Sequence, residues 1–392
     1  MRLDGIQIVD LTWLLPGAYG TQLLADMGAR VIKIEPPGSG DYMRGIEYPV
    51  TRPIGRESER SEDSAEFEAV NRGKESVTLD LKTEAGREAF YRLVAESDAV
   101  IEAFRPGVAE RLDIDYDRLT EYNEDVVYCS LTGYGQTGAY RDRPGHDHNY
   151  LAFAGFLDLN RHSEDEQPAF PGYPICDMAG GVFAAFSLVS ALLSRELGQR
   201  GGNYIDIAMT DVVLSFAQLL VPMARTAGPR PGETLITGKF PFLDTYRTAD
   251  GEYLVLAAVE RKFWAEFCRR IDRPELIEHH FPDDSDVREE VRSEVQAALA
   301  SKTRAEWEEI FDGTNVPVSP VQTLAEALDH PQTRSRDLMD DETKVGFPAV
   351  VRRGLDRTRD EAPEQGGDTE AVLRELGLSD AAVAAIVGDD PA

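Results

Sequence analysis

IQIVDLTWLLPGAYGTQLLADMGARVIKIEPP, residues 6–37, decides the fold. Residues 6–10 form a short apolar strand, and Pro16 and Gly17 mark the turn that follows. Leu23, Leu24 and Met27 then share one helical face, Gly28 closes that helix, and 30–37 is a second strand stopped by its prolines. Strand, helix and strand of this length make a βαβ unit, which pairs its strands parallel through a right-handed crossover. The alternation repeats in SVTLDL (76–81), a helix over 83–96, DAVIEAF (98–104) and VVYCSLTGYG (126–135). The pattern predicts an α/β fold whose large domain is a doubly wound, Rossmann-like sheet.

Outside that stretch the periodicity changes. Residues 52–68 (RPIGRESERSEDSAEFE) are charged and read as a mobile surface loop, and 225–238 is a second break rich in Gly, Pro and Thr. Beyond it, YRTADGEYLVLAAV (246–259) is a hairpin turning at Asp250-Gly251. Helices follow at 260–272, 285–300 and 306–311, then a strand-like run at 316–321. We expect a large domain over 1–224, a small α+β domain over 225–330, and a segment 331–392 that returns to the large domain. Within that segment 357–370 is a linker and the end a short helical pair.

The chain's 392 residues suit two domains at roughly 100–200 residues each. An apolar fraction of 42% supports real cores. The 71 acidic against 41 basic residues leave a net charge of −30, a field that repels phosphate backbones and argues against a nucleic-acid partner. Only seven of the basic residues are Lys, and acid-rich, lysine-poor surfaces suit molar salt, where screening acts within about 3 Å. A halophilic source is the expectation. Segment 178–194 reads as a buried core helix rather than a membrane span, and no signal segment opens the chain, so a cytoplasmic protein without a membrane partner is expected. Cys129, Cys176 and Cys268 are scattered, which excludes a disulfide framework and any CxxC metal site. No metal is expected. After the first strand the chain reads TWLLPGAYG rather than GxGxxG, and GxxxxGK[ST], HExxH and GxSxG are missing.

Three stretches carry candidate chemistry. RPGHDHNYLAFAG (143–155) holds His146 and Asp147 between a turn and an apolar helix. YPICDMAGG (173–181) sets Asp177 at the start of a long apolar helix, where dipole and free N–H groups favour an anion. AAVERKFW (257–264) opens another helix with Glu260. Taken singly, each acid reads as a helix cap and the histidine as a turn residue.

Together with their surroundings they resemble the family III CoA-transferases, the CaiB/BaiF group. The matching stretches are 3–44, NRGKESVTLDLKTEAGR (71–87), DAVIEAFRPGV (98–108), YCSLTGYGQTGAY (128–140), GHDHNYLAFAG and GGNYIDIAMTD (201–211). The resemblance implies a coenzyme A thioester as substrate with no tightly bound cofactor, a free carboxylic acid as second substrate, and an interlocked homodimer. Residue by residue, Arg44 and Arg105 are similar to the family's phosphate contacts, and Arg suits that task through its fork of donors. Lys74 resembles another phosphate or adenine-side contact. Tyr134, Asp147 and Tyr150 resemble residues lining the pantetheine and thioester.

Asp177 falls where the family keeps its acting carboxylate, and two mechanisms share it. In transferases it is the nucleophile that carries CoA as an aspartyl thioester, helped by nearby backbone N–H donors, with Gly180-Gly181 permitting close approach. In α-methylacyl-CoA racemases it is an acid/base opposite His146, with Glu260 orienting the histidine. GHDxNY and VExKFW resemble the racemases. The chain's seven Met and the polar segment NRHSEDEQPAFPGYP (160–174) favour a short acid instead, since Arg161 and His162 are placed to pair a carboxylate. The expectation is a CoA-transferase acting between short-chain (di)carboxylic acids, such as succinyl-CoA and mesaconate, with the racemase as the alternative.

Overall fold

The computed structural model describes residues 3–45, 64–199, 201–226, 228–339, 344–349 and 361–388. Six strands form one parallel sheet: β1 Gln7–Leu11, β2 Arg30–Glu35, β3 Glu75–Thr78, β4 Ala99–Glu102, β5 Val127–Thr132 and β6 Asn203–Ala208. Their order is β3-β2-β1-β4-β5-β6, the doubly wound order with its switch point between β1 and β4. Both faces of such a sheet are covered, which is why β5 is buried along its whole length and the strands read as near-continuous Val and Ile. Val9, Ile32, Val100, Phe90 and Val94 centre the core on one side. The Leu15–Asp26 helix takes Pro16 in its first turn, and Gly28 (φ 96°) supplies the left-handed residue beyond its end.

Three further strands, β7 Leu243–Arg247, β8 Tyr253–Ala257 and β9 Val318–Pro320, make an antiparallel sheet. The β7–β8 turn runs through Asp250 and Gly251 (φ 88°), with Thr248 Oγ1 donating to Asp250 Oδ1. Trp264, Phe267, Trp307 and Phe242 fill the core between this sheet and the helices Arg261–Arg270, Ser285–Leu299 and Arg304–Phe311.

Two compact units result: Met1–Ala154 with Pro171–Gln218 and Arg336–Ala392, and Gly155–Phe170 with Leu219–Ser335. Segment 155–170, expected in the first domain, sits with the second unit because it packs on the 230–232 turn. Arg230 Nε lies 3.6 Å from Glu164, and a Cβ on Gly232 would fall 2.3 Å from the His162 carbonyl oxygen. The charged run expected as a loop over 52–68 holds a helix, Ala65–Asn71, hidden by its acids. Ser64 Oγ accepts from Phe67 N–H, and Phe67 and Val70 are buried. Residues 52–63 of that run and 357–360 of the linker lie outside the described residues. The final helical pair is Thr369–Glu375 and Asp380–Val387.

The long apolar helix is Ile175–Glu196, and it is not the wholly buried core helix expected. Cys176, Gly180, Ala184, Leu188 and Leu192 face inward, while Val182, Phe186 and Leu193 are exposed.

Candidate active site

The Ile175–Glu196 helix starts beside a carboxylate that is not its own. Asp147, first residue of the Asp147–Phe153 helix, is 4% exposed, and its Oδ1 accepts from the N–H groups of Cys176 (2.6 Å) and Asp177 (3.0 Å). Ile175 N–H donates to the Tyr173 carbonyl and Met178 N–H to that of Pro174. All four first-turn donors are therefore engaged, a full account of a helix N-terminus. Two expectations change. Asp147 caps this helix rather than lining the thioester, and the free N–H donors expected for an oxyanion there are already bonded. Asp147 Oδ2 is buried and has no hydrogen-bond partner among the described residues.

Asp177 stands at the same point, half-buried. Burial first, and the Asp147 charge second, push its carboxyl up to about 7. Gly180 and Gly181 do not open a path for substrate. A Cβ on Gly181 would lie 2.3 Å from the Pro16 carbonyl oxygen and one on Gly180 2.6 Å from Met209 Cγ, so these glycines serve helix packing.

His146 immediately precedes Asp147 and caps its helix in extended backbone; its N–H donates to Asn149 Oδ1 at 3.0 Å, and its ring is at the surface. Tyr150 donates its hydroxyl to the Gly145 carbonyl, and its ring occupies the space a side chain on Gly133 or Gly145 would need. Tyr134 meets Tyr150 edge-on at 5.2 Å, and Tyr140 and Phe153 complete an aromatic group, with the Arg143 guanidinium 3.8 Å over Tyr140. Burial, then Asp177, raise the Tyr150 hydroxyl, and Arg105 opposes them, which puts the Arg105 charge in this neighbourhood. Arg105 is exposed and has no ion-pair partner among the described residues.

Two predicted CoA contacts belong elsewhere. Lys74 is 1% exposed; its ammonium donates to Asp10 Oδ2, the Ala18 carbonyl and Asn71 Oδ1, so every donor is spent inside the protein. Arg44 grips Glu35 with two donors (2.8 and 2.6 Å) and stacks on Phe67 at 3.8 Å, 7% exposed. Both cations are buried and bonded to internal partners, which speaks against the expected phosphate contacts.

Glu260 lies in the second unit, exposed, as N-cap of Arg261–Arg270. Arg161, also in that unit, is committed to its own loop: it bonds the Asp158 carbonyl and carboxylate and the carbonyls of Glu164 and Glu166. It is not held out for a substrate carboxylate. The structure thus gathers His146, Asp147, Asp177, Tyr134 and Tyr150, with Arg105 in electrostatic reach. Sequence reasoning missed Tyr140 and Phe153 as part of this group, although aromatics at 134, 140, 150 and 153 were its visible signal.

The sheet is parallel in 3-2-1-4-5-6 order with no glycine fingerprint after β1, and Asp177, its carboxyl raised toward neutrality, has its backbone N–H bonded to Asp147, the residue after His146. The chain belongs to CoA-transferase family III, which it matches over residues 3–369. It is 33% identical over 390 residues to alpha-methylacyl-CoA racemase of Homo sapiens, covering 97% of this chain and 94% of that protein. It is equally 33% identical, over 353 residues, to succinyl-CoA:mesaconate CoA-transferase of Haloarcula hispanica, covering 88% of this chain and 86% of the relative. A CAIB/BAIF family protein from Brucella suis has a similar solved structure, with a TM-score of 0.80 at 28% identity over 95% of this chain and 99% of that one.

Proposed function

We propose that this enzyme moves the α-proton of a 2-methylacyl-CoA between Asp177 and His146, and so interconverts the two configurations at that carbon. The observation that carries this reading is the Asp177 carboxyl, poised at about 7 on the flank of the histidine-bearing turn. A general acid/base is most useful with its proton affinity near the working pH. One residue in its basic form breaks the α-C–H bond, and the electron pair delocalises into the thioester carbonyl as an enolate. The other, protonated, delivers a proton to the opposite face, so each turnover leaves the pair with protonation states exchanged. Arg105 is the CoA phosphate contact in this reading, and Tyr134 and Tyr150 wall the thioester.

Transfer of CoA between short-chain acids, with Asp177 as nucleophile, is the second reading. The likeness to a succinyl-CoA:mesaconate transferase favours it, and a carboxylate stripped of water is also a good nucleophile. It loses the support of Arg161, which satisfies its own loop.

The exposed apolar row Val182, Phe186 and Leu193 supports a second copy packing on the Ile175–Glu196 helix, a homodimer rather than a membrane contact. The acid-rich composition supports work in concentrated salt of a cytoplasm.

The test is incubation in D2O with one configuration of a 2-methylacyl-CoA and no acceptor acid. Proton transfer predicts one deuterium at the α-carbon and loss of configuration, the loss of configuration being abolished in His146→Ala. Unlabelled substrate, alongside a hydroxylamine-trapped adduct at Asp177 when succinyl-CoA is supplied, refutes it in favour of transfer.

A further inference from the structure

On β4, β5 and β6, a row of polar side chains lines a cavity that shares only Arg105 with the group around Asp177. Glu102 pairs with Ser130 across the β4–β5 register, and Tyr128 pairs with Tyr204 across β5–β6. Alternation along β5 puts Tyr128 and Ser130 on one face. They line a cavity of about 240 Å³, larger than the roughly 150 Å³ that holds a benzene ring.

Its floor is closed off from water. Glu102 and Ser130 are each 2% exposed and Tyr128 1%. Glu102 Oε2 accepts the Phe104 N–H at 2.6 Å, and Tyr204 donates to Ser130 Oγ at 3.3 Å. The Tyr128 hydroxyl has no hydrogen-bond partner among the described residues, although buried hydroxyls are normally satisfied. The walls are aromatic: the Tyr116, Tyr128 and Tyr204 rings stand 5.7 to 6.2 Å apart. The rim carries Glu110, Asp115 and Asp117, with Arg105 as the one cation among the described lining residues. Burial pushes the Glu102 carboxyl up to about 7, and Glu110 and Asp206 add to it; the groups acting on Tyr128 are likewise acidic or phenolic.

We propose that this cavity binds a small protonated amine, whose N–H groups donate to the Tyr128 hydroxyl oxygen and the Glu102 carboxylate while the Tyr116 and Tyr204 rings flank its charge. The requirements converge on that chemistry. An anion meets four carboxylates, a neutral molecule leaves the field of Glu102 uncompensated, and an ammonium ion gains from ring faces as well as from the acids. The orphaned hydroxyl asks for a donor, which a quaternary ammonium lacks.

The probe is n-propylammonium chloride, measured on the full chain by saturation-transfer NMR at constant total chloride. Saturable binding is expected, weakened about tenfold or more in Glu102→Gln and in Tyr204→Leu. The second variant removes a half-exposed ring and its 3.3 Å bond to Ser130, and guards against misfolding of the first. Equal saturation by propan-1-ol overturns the charge requirement, and equal competition by potassium replaces the amine with an inorganic ion. Unchanged affinity in both variants, or no saturation, overturns the site.

Discussion

Two aspartates of the same unit are buried to opposite ends. Asp10, at 0% exposure on β1, would be raised by burial, yet Lys74, Lys33 and the hydroxyls of Thr12 and Thr21 overcome that and hold it at about 2. Its oxygens accept from Thr12, Thr21 and Lys74, and Lys33 pairs next door with Asp41 at 2.8 Å. Asp177, less deeply buried, has burial pushing the same way and a second negative charge, Asp147, in place of a cation, and rises to about 7. Burial alone thus does not decide what a carboxyl does. Partners turn one into a strut, and their lack leaves the other ready to take or give a proton.

Replacement should have opposite consequences at the two places. Asp177→Asn is expected to lower α-proton exchange on a 2-methylacyl-CoA by about 10²–10⁴-fold, the usual weight of a positioned acid/base. It should also stabilise the fold above neutral pH. A carboxyl raised from 3.8 to about 7 costs stability progressively as pH climbs through that window, on the order of a few kcal/mol when fully ionised. A melting scan at pH 8 in which the variant is no more stable than the parent breaks the comparison. Lys74→Met leaves Asp10 short of its bonded cation, and breaking a buried pair from one side costs about 3–5 kcal/mol. The fold should lose that much by denaturant titration, while the folded fraction turns over as before. A loss in kcat equal to that of Asp177→Asn would mean that the two regions are not separate after all.

The contrast also marks what could be read before the structure. The βαβ opening, the hairpin at Asp250-Gly251 and the helix after Asp177 were legible because periodicity and turn residues are local. β6 was not identified as a strand, since NYIDIA alternates and its first residues are exposed at the sheet's edge. The internal partners of Arg44 and Lys74 were hidden for a different reason. A sequence displays a charge but not its partner, and Lys74 meets an aspartate 64 positions away. The same blindness applied in reverse to Asp177, which was singled out by resemblance and whose surroundings, burial first and Asp147 at its backbone second, became visible only in three dimensions.

Asp147→Asn sharpens the comparison by the smallest step. The amide oxygen can still accept the Cys176 and Asp177 N–H groups, so the helix start should hold. Only the charge that reinforces burial at Asp177 is removed. The Asp177 carboxyl should then fall from about 7 while remaining above an ordinary aspartate, because burial, the larger cause, stays. In the direction where Asp177 removes the proton, its ionised form is the active one. The rise of kcat with pH should therefore begin at lower pH in the variant, with a plateau within a few-fold of the parent. Asp147→Ala is the control: it discards the cap as well, at about 0.5–2 kcal/mol of stability. If the acid limb stays put in Asp147→Asn, then burial alone poises Asp177. The contrast between Asp10 and Asp177 would then rest on the lysines and hydroxyls around Asp10.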